Sequence, residues 1–337
     1  MELKKIKGAG EQLELDSNKY FRYDDNTLVT CDYVVSTFDI SNPLDIKLLS
    51  RVESDNFGGA FALQNQKIYL LHRWDSQRIR ILDASNPLNI HLASTINVDT
   101  KIRHIAISPA GIFYGISEQG KLGIIDNAGH FTALYSLGIS YGKENLYTHI
   151  TIENNLLIID ALGIFLRLFE IKDDGTVEAL SKICYYTKAN ENFKSFDKLD
   201  EQDNDDRKNA ALCVLHLKTS FGFPVKAFTV LGGKYLLHAW RHILLIDICN
   251  PKAPKLTDMI TISEKNMHLR GDSHCYYSEN EIMINTQDNM VYLVELSPEG
   301  AKLKQSIRIE DAETRTLMRK DNYLLALGST VEIFEIN

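Results

Sequence analysis

At 337 residues, 44% of them hydrophobic, the chain is long enough to bury a sizeable core as one large or two ordinary domains. Its net charge of -8 argues against a general affinity for nucleic acid, which requires a clustered basic surface to neutralise phosphates. No window approaches about 18 uninterrupted apolar residues, and "MELKKIKGAGEQLELD" holds neither an apolar stretch nor a small-residue cleavage site, so a soluble, cytoplasmic protein with no membrane partner is expected, or a surface-exposed one if a leader has been trimmed.

In chain order, a short strand is predicted in "ELKKIK", Glu2 to Lys7, and from "SNKYF" onward one unit recurs. Each unit holds a strongly β-patterned run that closes on an acidic residue: "VVSTFD" at Asp39, "RIRILD" at Asp83, "LGIID" at Asp126, "FLRLFE" at Glu170, "ILLID" at Asp247, "VYLVE" at Glu295 and "VEIFE" at Glu335. Successive spacings are 44, 43, 44, 77, 48 and 40 residues, all but one near the period of a four-stranded propeller blade. Within a unit the order is an inner strand such as "RHIAI", a second such as "GIFYGI", the acidic-ended third, and a fourth such as "HLASTI". These runs are rich in Ile, Val, Tyr and Phe and are punctuated by Asn, Asp, Gly and Pro, as strands and hairpin turns are; no segment reads as a helix. Three of the third strands run into Asn-Pro. Proline presets φ near -65° and asparagine bonds its own backbone, so the pair reverses the chain at low cost.

The expected architecture is all-β: a seven-bladed β-propeller of four-stranded blades, one domain over residues 1–337. Eight blades is the alternative if the long spacing hides a degenerate one. The last unit, "NYLLALGSTVEIFEIN", stops at its third strand, and the N-terminal strand would complete it, closing the ring and leaving no open edge. The five cysteines (Cys31, Cys184, Cys213, Cys249 and Cys275) lack Cys-x-x-Cys spacing, which favours buried thiols over disulfides or a zinc knuckle.

The phrases "VSTFDISNP", "IRILDASNP" and "LLIDICNP" resemble the LVIVD-repeat β-propellers, a bacterial and archaeal family often found at the cell surface. The resemblance implies the fold and carries no catalytic residue with it.

In a propeller the Asn-Pro turns lie opposite the face where the inner strands begin, the usual ligand face. Aligned inner strands give a column of equivalent positions: Lys19, Gly59, His104, His149, Lys226, His274 and Arg315. One basic or imidazole side chain per blade at a channel mouth would favour an anion. The same column could instead line a water-filled channel, and His104, His149 and His274 could ligate a divalent transition metal. Two second-to-third strand loops, "LLHRWD" and "LLHAWRH", would add Arg73 and Trp74, and Trp240 and Arg241, beside His72, His238 and His242. Trp with Arg either stacks on a planar ligand or packs over a neighbouring blade. Arg103, Tyr147, Arg270 and Asp272 neighbour this rim. Residues 185–224 read as an acidic loop insertion between blades four and five on the same face.

No phosphate loop, Gly-x-Ser-x-Gly elbow, His-Glu-x-x-His pair or EF-hand pattern is present. The expected function is a non-enzymatic binding scaffold, without a cofactor, for an anionic small molecule or acidic protein segment. The alternative is a metal-dependent hydrolase or lyase using the three histidines, with Asp272 as base.

Overall fold

The computed structural model describes residues 3–6, 19–31, 34–53, 61–72, 75–138, 148–161, 165–186, 213–218, 226–231, 234–239, 242–261, 269–278, 280–286, 289–297, 300–309, 316–328 and 331–336. Every regular element among them is a β-strand. The first sheet contains β2 (Lys19–Arg22), β3 (Thr27–Cys31), β4 (Val34–Asp39) and β5 (Lys47–Glu53), after the short β1 (Leu3–Ile6). The second contains β6 (Phe61–Gln64), β7 (Lys67–Leu71), β8 (Arg78–Asp83) and β9 (His91–Asn97), and the third β10 (Ile102–Ile107), β11 (Phe113–Ser117), β12 (Lys121–Ile125) and β13 (Phe131–Ser136).

The fourth sheet has five strands: β14 (Thr148–Glu153), β15 (Leu156–Ala161), β16 (Phe165–Ile171), β17 (Val177–Tyr186) and β18 (Cys213–Lys218). Then come β19 (Lys226–Leu231), β20 (Lys234–Ala239), β21 (His242–Asp247) and β22 (Lys255–Thr261), followed by β23 (Leu269–Ser278), β24 (Glu281–Thr286), β25 (Met290–Ser297) and β26 (Gly300–Arg308). The last sheet joins β27 (Thr316–Lys320), β28 (Tyr323–Leu327) and β29 (Val331–Ile336) to β1, in the order β1-β29-β28-β27. The molecule is thus an all-β propeller whose N-terminal strand completes its last sheet. Lys4 lies opposite Glu335 there, and Lys5 reaches the buried Glu332 at 3.5 Å.

Among the described residues six pairs of neighbouring sheets share apolar clusters, which is why the middle strands read as near-continuous apolar runs. Val29 and Val35 of the first sheet meet Ile68, Leu70 and Leu82 of the second. Leu71 and Ile79 meet Ile102 and Ile105, and Tyr114 and Ile116 meet Leu157, Ile159 and Phe169. The seventh sheet returns to the first through Met318, Leu325 and Ile333 against Leu28 and Phe38. Outer strands such as β9 bury little, and Leu48, Leu92 and Leu256 stand exposed at matching positions on three of them.

All seven acidic markers sit at or near the end of a third strand, and several do local work there. Asp39, Asp83 and Asp247 accept the N–H of Ser41, Ser85 and Cys249 at 2.8, 2.8 and 2.9 Å. Asn42, Asn86 and Asn250 then accept the N–H of Leu44, Leu88 and Lys252 at 3.1, 3.0 and 3.2 Å, so each Asp-x-x-Asn-Pro phrase is two successive side-chain turns. Hydrogen bonds from Ser41 and Ser85 hold the Asp39 and Asp83 carboxyls below the usual carboxylate range. Cys249 in the third phrase is exposed, against the expectation of burial.

These third-to-fourth turns also bind the preceding sheet. The Pro87 carbonyl accepts from the Thr37 hydroxyl, and the Pro251 carbonyl from the Ser181 hydroxyl, both at 2.6 Å. The Gly175 carbonyl accepts from the Tyr114 hydroxyl at 2.8 Å, Asp99 bonds backbone to backbone with Gly129, and Ala301 N–H donates to Asp258 at 2.9 Å. Each turn from the second sheet to the sixth therefore latches onto the sheet before it. The strong twist of a propeller sheet explains this, because it leans the outer end of one sheet over its neighbour.

The fifth strand of the fourth sheet departs from the expected four-stranded unit. β18 lies within the predicted insertion and pairs with β17 in parallel, Ser181 opposite Cys213 and Tyr186 opposite Lys218. The parallel register sets the start of β18, Cys213, beside Ser181, five residues back along β17 from Tyr186, about 17 Å at strand rise. The acidic middle of the insertion lies outside the described residues.

Candidate functional site

The inner strands begin on the face opposite the Asn-Pro turns, and five positions of the predicted column lie on them. Lys19 pairs with Cys31, His104 with Ile116, His149 with Asp160, Lys226 with His238 and His274 with Ile284. In every case the partner is among the last three residues of the second strand, so all five share the same end of their sheets. Of these, His104 is the one whose side-chain environment is described. Gly59, Arg315, Arg73, Trp74, Trp240, Arg241 and Tyr147 lie outside the described residues. Arg270 and Asp272 are placed as backbone within β23.

Around His104 the local structure is specific. The register slips between Ile102 and His104, so Arg103 forms a bulge, a device that re-aims a side chain. His104 is half-buried and Arg103 exposed. The Arg103 guanidinium reaches Glu118 at 2.8 Å, and Lys101 approaches the same carboxylate at 3.8 Å. Glu118 stands on the short turn between β11 and β12, its N–H bonded to the Lys101 carbonyl at 2.9 Å. This end of the third sheet thus carries two cations around one anion beside His104, so Glu118 offsets one of the two added positive charges.

The loop from His72 to Gln77 joins this face directly. Ile102 N–H donates to the Ser76 carbonyl and Val98 N–H to the Gln77 carbonyl, each at 2.7 Å, which ties the loop to the start of β10. Its own form is held by side chains: Nδ1 of His72 accepts the Asp75 N–H at 2.8 Å, and the Asp75 carboxylate binds Arg78 at 2.7 Å. His72 therefore holds Asp75 in place at the start of the turn that leads into β8. Its sequence twin His238 is placed as backbone opposite Lys226.

Sequence reasoning missed one pair. Arg167 on β16 and Lys182 on β17 are directly opposite and essentially inaccessible, at 0% and 1% exposure. Arg167 donates to the Tyr135 hydroxyl and lies 4.9 Å over that ring, while Lys182 lies 5.0 Å from the Phe165 centroid. The signal was a lone cation inside each of two apolar runs, "FLRLFE" and "LSKIC". On the inner strand nearby, burial pushes the Glu153 carboxyl up.

Among the described residues no three His, Cys, Asp or Glu side chains converge to hold a metal ion. Of the alternative ligand set, only the His104 side chain falls within that description. Among the described residues, no helix is long and apolar enough to cross a membrane.

No family model matches the chain, and no curated protein matches it in sequence. Solved structures do match in fold. BamB from Moraxella catarrhalis aligns over 99% of this chain and 100% of its own, at 10% identity and a TM-score of 0.53. The Cps50 (Swd1) β-propeller domain of Myceliophteria thermophila aligns over 99% and 98%, at 10% identity and 0.60. A functionally unknown protein from Desulfotomaculum acetoxidans aligns over 90% and 89%, at 10% identity and 0.62. At such identity the likeness is one of fold.

Proposed function

We propose that the seven sheets are the blades of one closed ring, related to the LVIVD-repeat propellers, and that its funnel face binds a negatively charged partner. An acidic protein segment or an anionic small molecule would meet Lys19, His104, His149, Lys226, His274 and Arg315, with Arg73, Trp74, Trp240 and Arg241 as rim. Supporting this reading is the shared register of the five column positions at one end of their sheets. A closed propeller is a rigid scaffold, and the Ser76–Gln77 turn is anchored to the segment that leads into β10. Convergent cations on such a scaffold attract anions without reorganising.

The test uses a fluorescent oligo-glutamate peptide and inorganic pyrophosphate as separate probes, titrated at low and high salt and at pH 6 and 8. Binding weakens with salt as exposed charges are screened, and weakens from pH 6 to 8 as imidazoles lose protons. Replacing His104, His149 and His274 together by Ala lowers affinity at pH 6 at least ten-fold. Unchanged binding in that variant, or no binding of either probe by the native protein, refutes the reading.

A further inference from the structure

We propose that β18 is an exchangeable strand, occupying in cis an edge of the propeller that accepts an extended, aliphatic-rich segment of a partner protein. The fourth sheet already has its inner, second, third and fourth strands in β14 to β17, the complement that makes up each of the other six sheets. β18 is surplus to that unit and is laid on the outer edge of β17 over Ser181 to Tyr186. Its pairing is parallel, whereas every other strand pair among the described residues is antiparallel, and parallel ladders are slightly weaker per residue.

Chain connectivity makes the added strand separable. Residues 187–212 precede β18 and residues 219–225 follow it, so it can leave β17 without unpairing β17 from β16 or displacing β19. A long connection also dilutes the tethered strand at its own edge, since loop-closure entropy grows with length. The edge itself is a recognition device. Main-chain groups of β17 supply sequence-tolerant hydrogen bonds, and alternate side chains of the incoming strand supply selectivity. The segment that fills it, "CVLHLK", has three aliphatic residues among its six, Val214, Leu215 and Leu217, which defines the chemistry a competing segment must share. This edge lies on the perimeter of the ring and involves no funnel residue, so it is independent of the reading above.

Two measurements test the proposal. In the unaltered protein, amide hydrogen exchange of Cys213–Lys218 proceeds at least ten-fold faster than that of Leu156–Ala161 and Phe165–Ile171; equal protection of all three overturns it. In the second, Leu215→Pro removes an N–H and a compatible φ from β18. A fluorescent peptide of residues 211–220 then binds this variant at least ten-fold more tightly than it binds the native chain, and a scrambled peptide does not. Equal binding to both proteins, or to neither, refutes the idea, as does a stable native dimer that exchanges β18 between copies. The triple histidine variant leaves the peptide result unchanged, so failure at the funnel and failure at this edge are distinguishable.

Discussion

The hydroxyl of Tyr114 offers a sharp test of how the sheets are held together. It is fully buried and donates at 2.8 Å to the carbonyl of Gly175, on the turn that the fourth sheet leans over the third. Tyr114→Phe keeps the ring and its packing against Ile116, Leu157 and Phe169 while orphaning that carbonyl. A buried acceptor left without its donor costs about 1–3 kcal/mol. With an unfolding entropy of roughly 2 cal/mol/K per residue, this length of chain loses about 1–4 °C of thermal midpoint. Calorimetry and urea unfolding read the change, with Tyr23→Phe as comparison, because the Tyr23 hydroxyl makes the same kind of bond to the Ala84 carbonyl in a less buried setting. The phenol supplies a second readout. Burial first, then the Asp174 charge, pushes the Tyr114 pKa up to about 12. A folded-state value above the unfolded one means the stabilisation is complete below about pH 10 and fades as pH rises through 12. Native protein therefore loses stability over that window more steeply than Tyr114→Phe. Indistinguishable midpoints, together with parallel alkaline profiles, would show that the inter-sheet bond carries no weight.

Four other outcomes follow from the same geometry. Gly129→Ala destabilises by about 1–3 kcal/mol, because φ is +88° and a Cβ would run into the Asn97 carbonyl oxygen; thermal unfolding checks it. Asp83→Ala lowers the melting temperature while Asp83→Asn largely preserves it, since only the amide can still accept the Ser85 N–H. The Asp39, Asp83 and Asp126 carboxyls all lie below their ordinary range, so their stabilisation is present above about pH 4 and lost as pH falls through their folded-state values. Removing residues 1–7 unpairs β29 and leaves Glu332 without Lys5, and light scattering then reports aggregation through the opened edge at lower temperature than for the full chain.

Much of the fold is legible in the residues because strand alternation and turn chemistry are local. Asp39, Asp83 and Asp247 fix the ends of third strands by bonding two residues onward, an interaction that needs no distant partner. The surplus β18 was not legible. Its six residues carry an ordinary strand pattern, and whether such a run pairs, and in which direction, depends on an edge supplied by residues about thirty positions earlier. The buried Arg167 and Lys182 were hidden for a related reason: a cation in an apolar run announces itself, but its neighbours Tyr135 and Phe165 come from two sheets. Five column positions were readable as a repeating register at one end of their sheets, whereas the Arg103 bulge and its partner Glu118 were not.

The Asn-Pro phrase separates the two kinds of information. Period, strand order and the turn itself are written in the sequence, since Asp, Asn and Pro act on their own backbone. Tertiary structure alone made the same turn a latch, because the Pro87 carbonyl meets Thr37, and the Pro251 carbonyl Ser181, only when twisted sheets lean on one another.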